Sequence, residues 1–152
     1  MPYDCQTYLQ EALPVLGIRT HAPVEKLQET LGNCYASIGQ YMAGLGEAPA
    51  GIPYVAYFNM DMQDLDMEVG FKVAKPLPGM GPVQAGALPN TMVATCTHAG
   101  PYPDLKFAYE ELGRWVEEKG LQASEVLYEF YLNDPATTPP EALQTQIVFI
   151  LK

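Results

Sequence analysis

Two stretches of this chain repeat one another in letters as well as in pattern. Tyr35-Ala-Ser-Ile38-Gly39-Gln-Tyr41-Met42 and Tyr109-Glu-Glu-Leu112-Gly113-Arg-Trp115-Val116 share a ring, an aliphatic residue, a glycine, a second ring and another aliphatic at the same intervals. Gly46 and Gly120 then follow at the same distance. The spacing is helical: Val24, Leu27, Leu31, Cys34/Tyr35, Ile38 and Met42 recur on one face, as do Leu105, Tyr109, Leu112 and Val116. Each helix has Pro at its start, after Ala22 or at Pro103, and glycine at its end. Glu110 and Arg114 are spaced to pair on the surface of the second.

The flanking segments repeat too. Residues 13–21 read as a strand before the first helix, with Pro53–Asn59 and Asp66–Val73 as strands after it. Asn90–His98, Glu125–Leu132 and Thr145–Leu151 stand in the same order around the second helix. Thr20-His21-Ala22 is echoed by Thr97-His98-Ala99. A Pro/Gly-rich passage, Lys75–Pro82, separates the copies like a linker. The expected fold is α+β: duplicated strand–helix–strand–strand units, about 12–74 and 90–152, in one domain 1–152. They would form an antiparallel sheet with two helices and a central groove, the copies related by a pseudo-twofold axis.

Carrying the helix alignment forward places Tyr57 on Tyr131, Asn59 on Asn133 and Val55 on Glu129. In Tyr128-Glu129-Phe130-Tyr131-Leu132, alternation puts Val126, Tyr128, Phe130 and Leu132 on one face and Leu127, Glu129 and Tyr131 on the other. A carboxylate on such a face must be exposed, paired or kept for a ligand, because burying it alone is costly. Its counterpart Val55 shows that the architecture does not require the charge. Glu129 is therefore the expected anchor of a site at the junction of the halves, its pKa raised by lost hydration.

Charge and composition narrow the function. Eighteen acids against 8 bases give a net charge of −10, which repels phosphate, so direct nucleic-acid binding is not expected. No apolar run approaches a membrane span, and Met1-Pro2-Tyr3-Asp4 lacks the basic start of a leader. The expected setting is cytoplasmic, with Cys5, Cys34 and Cys96 as free thiols. No Ser-His-Asp or Cys-His arrangement, phosphate loop or dinucleotide fingerprint is present, so no cofactor is expected. Asp61, Asp64, Asp66 and Glu68 lack calcium-loop spacing, and Cys96 with His98 lacks a second zinc pair, so no metal is expected. Glu68 lies on a polar strand face and reads as solvated.

Ile52-Pro53-Tyr-Val-Ala-Tyr57-Phe-Asn-Met-Asp61, Asp66-Met-Glu68-Val-Gly70-Phe-Lys-Val73, His98-Ala-Gly-Pro-Tyr102, Trp115 and Glu129-Phe-Tyr-Leu-Asn-Asp-Pro135, in that order, resemble the GyrI-like small-molecule-binding domain. This is also the effector-binding domain of AraC- and MerR-type regulators, and the resemblance covers nearly the whole chain. It implies a groove that binds hydrophobic, drug-like, often aromatic and cationic molecules through rings and a buried Glu, here Glu129. No DNA-binding segment precedes the module, so a stand-alone domain is expected.

The residues expected at the ligand are Glu129, Tyr57, Tyr131, Tyr102, Trp115 and Phe71. The tyrosines offer ring faces for stacking and cation–π contact, worth ~0.5–2 kcal/mol each. Core packing is the simpler role for Trp115 and Phe71. The resemblance also implies two alternatives. One is hydrolysis of cyclopropane-bearing electrophilic toxins, with Glu129 as general base. The other is a gyrase-inhibitor-like module with a protein partner. The sequence leaves open whether the chain is an enzyme.

Overall fold

A computed structural model of the protein describes residues 3–47 and 52–152. Met1 and Pro2 of the opening segment lie outside them. The described residues form eight strands and two α-helices in an α+β arrangement. The strands are β1 (Gln6–Gln10), β2 (Pro14–Ala22), β3 (Pro53–Tyr57), β4 (Leu65–Lys72), β5 (Gln84–Ala87), β6 (Thr91–Ala99), β7 (Ala123–Tyr131) and β8 (Gln144–Leu151). The helices are α1 (Leu27–Gly44) and α2 (Leu105–Glu118). No helix among the described residues is long and apolar enough to cross a membrane.

The chain divides into two compact units, Glu11–Pro89 and Asn90–Lys152, the second joined by Met1–Gln10. Within the first, the strands run β5-β2-β4-β3, and within the second β1-β6-β8-β7, every pairing antiparallel. Each unit thus contains strand, helix, strand, strand in that order, plus one added edge strand.

The two edge strands are what the hydrophobic pattern misses. β5 is Gln-Ala-Gly-Ala, exposed throughout, and β1 is exposed over four of its five residues. Both are held by backbone ladders, which leave no periodic signature in the side chains.

Prolines stand at both helix starts, with a refinement. Pro23 and Pro101 each precede a short 3-10 turn, Val24–Lys26 or Tyr102–Asp104, that leads into the α-helix, so Pro103, expected to open the second helix, lies within its turn. Gly46 and Gly120 then end them at positive φ, 74° and 71°. α1 buries Cys34, Ile38 and Met42, and α2 buries Ala108, Leu112 and Val116. In the second unit the α2 residues pack on Ala94 and Cys96 of β6 and Ile147 and Leu151 of β8. On α2, Arg114 pairs with Glu111 and not with Glu110, three residues back instead of four.

Equivalent positions are visible in loop hydrogen bonds. Asn59 Oδ1 accepts from Asp66 N (3.0 Å) while its Nδ2 donates to Asp64 O (3.1 Å). Asn133 Oδ1 accepts from Gln144 N (3.0 Å) while its Nδ2 donates to Ala142 O (2.9 Å). The ladders correct one detail. Tyr57 faces Met67, which faces Thr20; Tyr131 faces Thr145, which faces His98. Thr20, not His21, therefore corresponds to His98, and the Thr-His-Ala echo is one residue out of step. A one-residue slip reverses the face of a strand residue: His98 is buried, whereas His21 is exposed beside Asp64.

Gly17 and Gly70 are opposite one another on β2 and β4, and Tyr54 of β3 lies over both. A Cβ at Gly70 would meet the backbone oxygen of Leu16 and stand 2.9 Å from the Tyr54 hydroxyl. Gly39, in α1, has nothing within 4 Å of that position. Gly70→Ala should therefore lower stability by about 1–3 kcal/mol, the usual cost of overpacking, in urea unfolding. Gly39→Ala should raise it by up to about 1 kcal/mol in the same assay.

Candidate functional site

β7 and β8 set the site. Leu127, Glu129 and Tyr131 face Phe149, Ile147 and Thr145 across the ladder, with a bulge between Ala123 and Leu127. Since Ile147 and Phe149 pack with the α2 core, Glu129 points into the helix-covered side of its sheet. It is 8% exposed.

Two phenols meet its carboxylate. Tyr131, two residues along the same strand face, donates to Oε1 at 2.8 Å, and Tyr109 of α2 donates to Oε2. Tyr102, in the turn that opens α2, sets its ring edge-on to Tyr131 at 6.0 Å. On the other flank, Tyr109 stacks on Phe149 at 6.2 Å. Burial raises the pKa of Glu129, and the two phenol hydrogen bonds pull against that rise by favouring the charged form. The Tyr102 hydroxyl is likewise pushed up, first by burial and then by the negative charges of Glu129 and Asp134.

His98 and Thr145 continue the row from Tyr131. His98 is buried, with Nε2 3.2 Å from the Pro101 carbonyl and Nδ1 3.0 Å from the Tyr3 hydroxyl. A carbonyl only accepts, so the proton sits on Nε2 and Nδ1 accepts from Tyr3 in the neutral ring.

Of the residues proposed from sequence, Glu129, Tyr131 and Tyr102 are brought together. Trp115 packs against the α2 core, with the Lys119 amine 5.8 Å from its ring. Tyr57 and Phe71 belong to the other unit. Tyr57 is buried opposite Met67, and Phe71 meets the ring of Tyr35 at 5.1 Å. By its helical spacing Tyr109 reads as an ordinary core position, although its identity with Tyr35 in the repeat is a signal. Tyr35 plays the related part of donating to a strand of its own unit, at the Tyr54 carbonyl, 2.9 Å away.

Glu68 differs from the expectation of a solvated residue. It is half-buried and accepts from the Tyr54 hydroxyl, above the bare backbone of Gly17 and Gly70. The neighbouring acids serve structure: Asp66 accepts from Arg19 Nε and Nη2, each at 2.8 Å, Asp64 meets His21, and Asp61 accepts from Gln63 N. An open cleft of about 270 Å³ lined by Tyr3, Phe107, Glu110, Glu111 and Arg114 shares no residue with the Glu129 cluster.

The model of the GyrI-like small molecule binding domain family matches residues 7–152. No curated protein matches the chain. Among solved structures, the chain is similar to EcmrR in the EcmrR-DNA complex, with TM-score 0.85 and 21% identity. That match covers 99% of this chain and 57% of EcmrR, so the chain spans little more than half of its length. The isolated EcmrR C-terminal domain matches over 100% of this chain and 99% of its own, with TM-score 0.79 and 20% identity. A hydrolase from Listeria innocua is similar with TM-score 0.70 and 14% identity, covering 97% and 91% of the two chains. SAV2435 bound to tetraphenylphosphonium is similar with TM-score 0.63 and 12% identity, covering 100% and 94%. At these identities the structural matches show a shared fold alone.

Glu129 has a testable titration. Its folded pKa lies above its unfolded value, so the native protein keeps the proton to higher pH. Its contribution to stability is complete below the unfolded value and is lost as pH rises through the raised one, at about 1.4 kcal/mol per tenfold change in proton affinity. Glu129→Gln should remove this pH dependence, so that the variant gains on the wild type as pH rises above the ordinary carboxylate range in urea unfolding. Tyr109→Phe removes a donor to the carboxylate and should move the Glu129 titration, followed by carboxyl carbon NMR, further upward.

Proposed function

The chain belongs to the GyrI-like small-molecule-binding domain family, and on that footing we propose that Glu129 anchors a hydrophobic, cationic, aromatic ligand. The observation that carries this reading is a buried carboxylate whose partners among the described residues are the two phenols, with no cation beside it. Phenols satisfy the oxygens of the carboxylate but leave its charge uncompensated. A cationic ligand supplies that compensation, and the rings of Tyr131 and Tyr102 supply faces and edges for its apolar part. SAV2435, of the same fold, binds tetraphenylphosphonium, a hydrophobic cation of this kind.

The energetics suit such a ligand. At an effective dielectric of about 20, unit charges about 5 Å apart attract by roughly 3 kcal/mol. The cation also favours the ionised carboxylate, so binding should release a proton and tighten as pH rises through the raised pKa of Glu129. Several ring contacts make the site tolerant of ligand shape, which is the basis for a multidrug reading.

A second reading rests on the same raised pKa. Glu129 as general base would take a proton from water as the water oxygen forms a C–O bond to a ring carbon of an electrophilic cyclopropane and the ring C–C bond breaks; Tyr109 or Tyr131 would protonate the departing carbon and recover a proton from Glu129 through their hydrogen bond. The similar fold of the Listeria innocua hydrolase supports keeping this alternative.

One variant separates the two. Glu129→Gln should weaken tetraphenylphosphonium by ~2–3 kcal/mol in calorimetry, about 30- to 150-fold, while sparing neutral analogues. If the chain is a hydrolase, the same change should abolish turnover of a cyclopropane alkylator with substrate binding retained. Unaltered cation affinity together with unaltered turnover would remove Glu129 from the site.

A further inference from the structure

Thr145 of β8 is fully buried, and among the described residues its Oγ1 has no hydrogen-bond partner. Its neighbour in type, Thr95, is satisfied twice: its hydroxyl donates to the Ile147 carbonyl at 2.8 Å and accepts from Gln146 at 3.1 Å. His98 and Glu129, also buried, each have two partners. Native proteins rarely bury a polar atom unpaired, because folding then loses the hydration of the atom without a replacement.

The first unit shows that the fold does not call for a hydroxyl at this place. Thr145 stands between Tyr131 and His98 in the ladder, as Met67 stands between Tyr57 and Thr20. Met67 is fully buried and apolar. The neighbouring row differs in the same sense, with Val55 facing Val69 in one unit and Glu129 facing Ile147 in the other. Two neighbouring apolar positions of the scaffold, Val55 and Met67, are thus replaced by polar residues, Glu129 and Thr145, on the face that carries the phenols. Core packing alone would have favoured the apolar pair.

We propose that Thr145 is a second recognition group of the Glu129 site, pairing its hydroxyl with a polar atom of the ligand. The inference rests on the proposed binding of a cation at Glu129, and it narrows the ligand class. Thr145 is diagonal to Glu129 across β7 and β8, a relation that sets the two strand positions about 7–8 Å apart. The fitting ligand is therefore an aromatic cation with a hydrogen-bonding group, such as an amine N–H or a hydroxyl, within about that distance of its charge. An onium ion with only hydrocarbon substituents engages Glu129 and the rings but leaves Thr145 unpaired.

Two probes and two variants test this. Ethidium is a permanent aromatic cation with amine N–H groups, and tetraphenylphosphonium has none. Thr145→Val keeps the shape and removes the hydroxyl, so it should weaken ethidium by roughly 5- to 10-fold, the scale of one hydrogen bond, and leave tetraphenylphosphonium within two-fold. Thr145→Ser should retain ethidium. Thr145→Val should also melt no lower than the wild type, because the lost hydroxyl had no partner. Equal effects on both probes, an unchanged ethidium affinity, or a marked loss of stability in the valine variant would overturn the assignment. If the wild type binds tetraphenylphosphonium but not ethidium, this inference falls while cation binding at Glu129 stands. If it binds neither, the underlying reading falls with it.

Discussion

A carboxylate held under a helix must have its oxygens bonded, and much of the second unit is arranged around that requirement. Glu129 receives one phenol from its own strand and one from α2. The strand donor is fixed by the pleat, which returns Tyr131 to the face of Glu129 two residues later. The helix donor depends on the seating of α2, and that seating is set by Ala108, Leu112 and Val116 against β6 and β8. A turn of α2 about its axis would take away the Tyr109 donor, and a one-residue slip in the β7–β8 ladder would carry Glu129 and Tyr131 off the face that α2 covers. The apolar core and the polar site are consequently one construction.

The duplication makes the consequence measurable within a single chain. Both units use the same ladders, the same asparagine loop brackets and the same glycine stops. The first unit fills the row under its helix with Val55 and Met67, and the second fills it with Glu129 and Thr145. A phenol–carboxylate pair occurs in the first unit as well, between Tyr54 and Glu68, but in the alternate set of strand positions. Two copies of one scaffold have thus taken different polar residues at different sites, and among the described residues only the second copy buries a carboxylate nine-tenths from solvent.

Family membership and site geometry bear on one another. The family establishes small-molecule binding as the kind of function. The geometry supports the proposed ligand class: a buried carboxylate with no cation beside it, rings at its edge and, among the described residues, a buried hydroxyl without a partner on the adjacent strand. A net charge of −10 adds a long-range field of the sign that draws cations in.

The sequence by itself determined the architecture and singled out Glu129 as the proposed anchor. Helical spacing located α1 and α2, paired aromatics and glycines revealed the repeat, and the Glu129/Val55 mismatch marked a position where the scaffold does not require a charge. These signals are periodic or comparative, so they survive without coordinates. Tertiary structure alone decided the rest. Tyr109 reads as core because a helix position states which face it occupies and not what its hydroxyl meets. The pairing of Glu68 with Tyr54 depends on two glycines that leave room for a ring, and the correct partner of His98 depends on a ladder whose one-residue slip the letters concealed. The edge strands β1 and β5 escaped because backbone hydrogen bonds hold them, and those are common to every residue type.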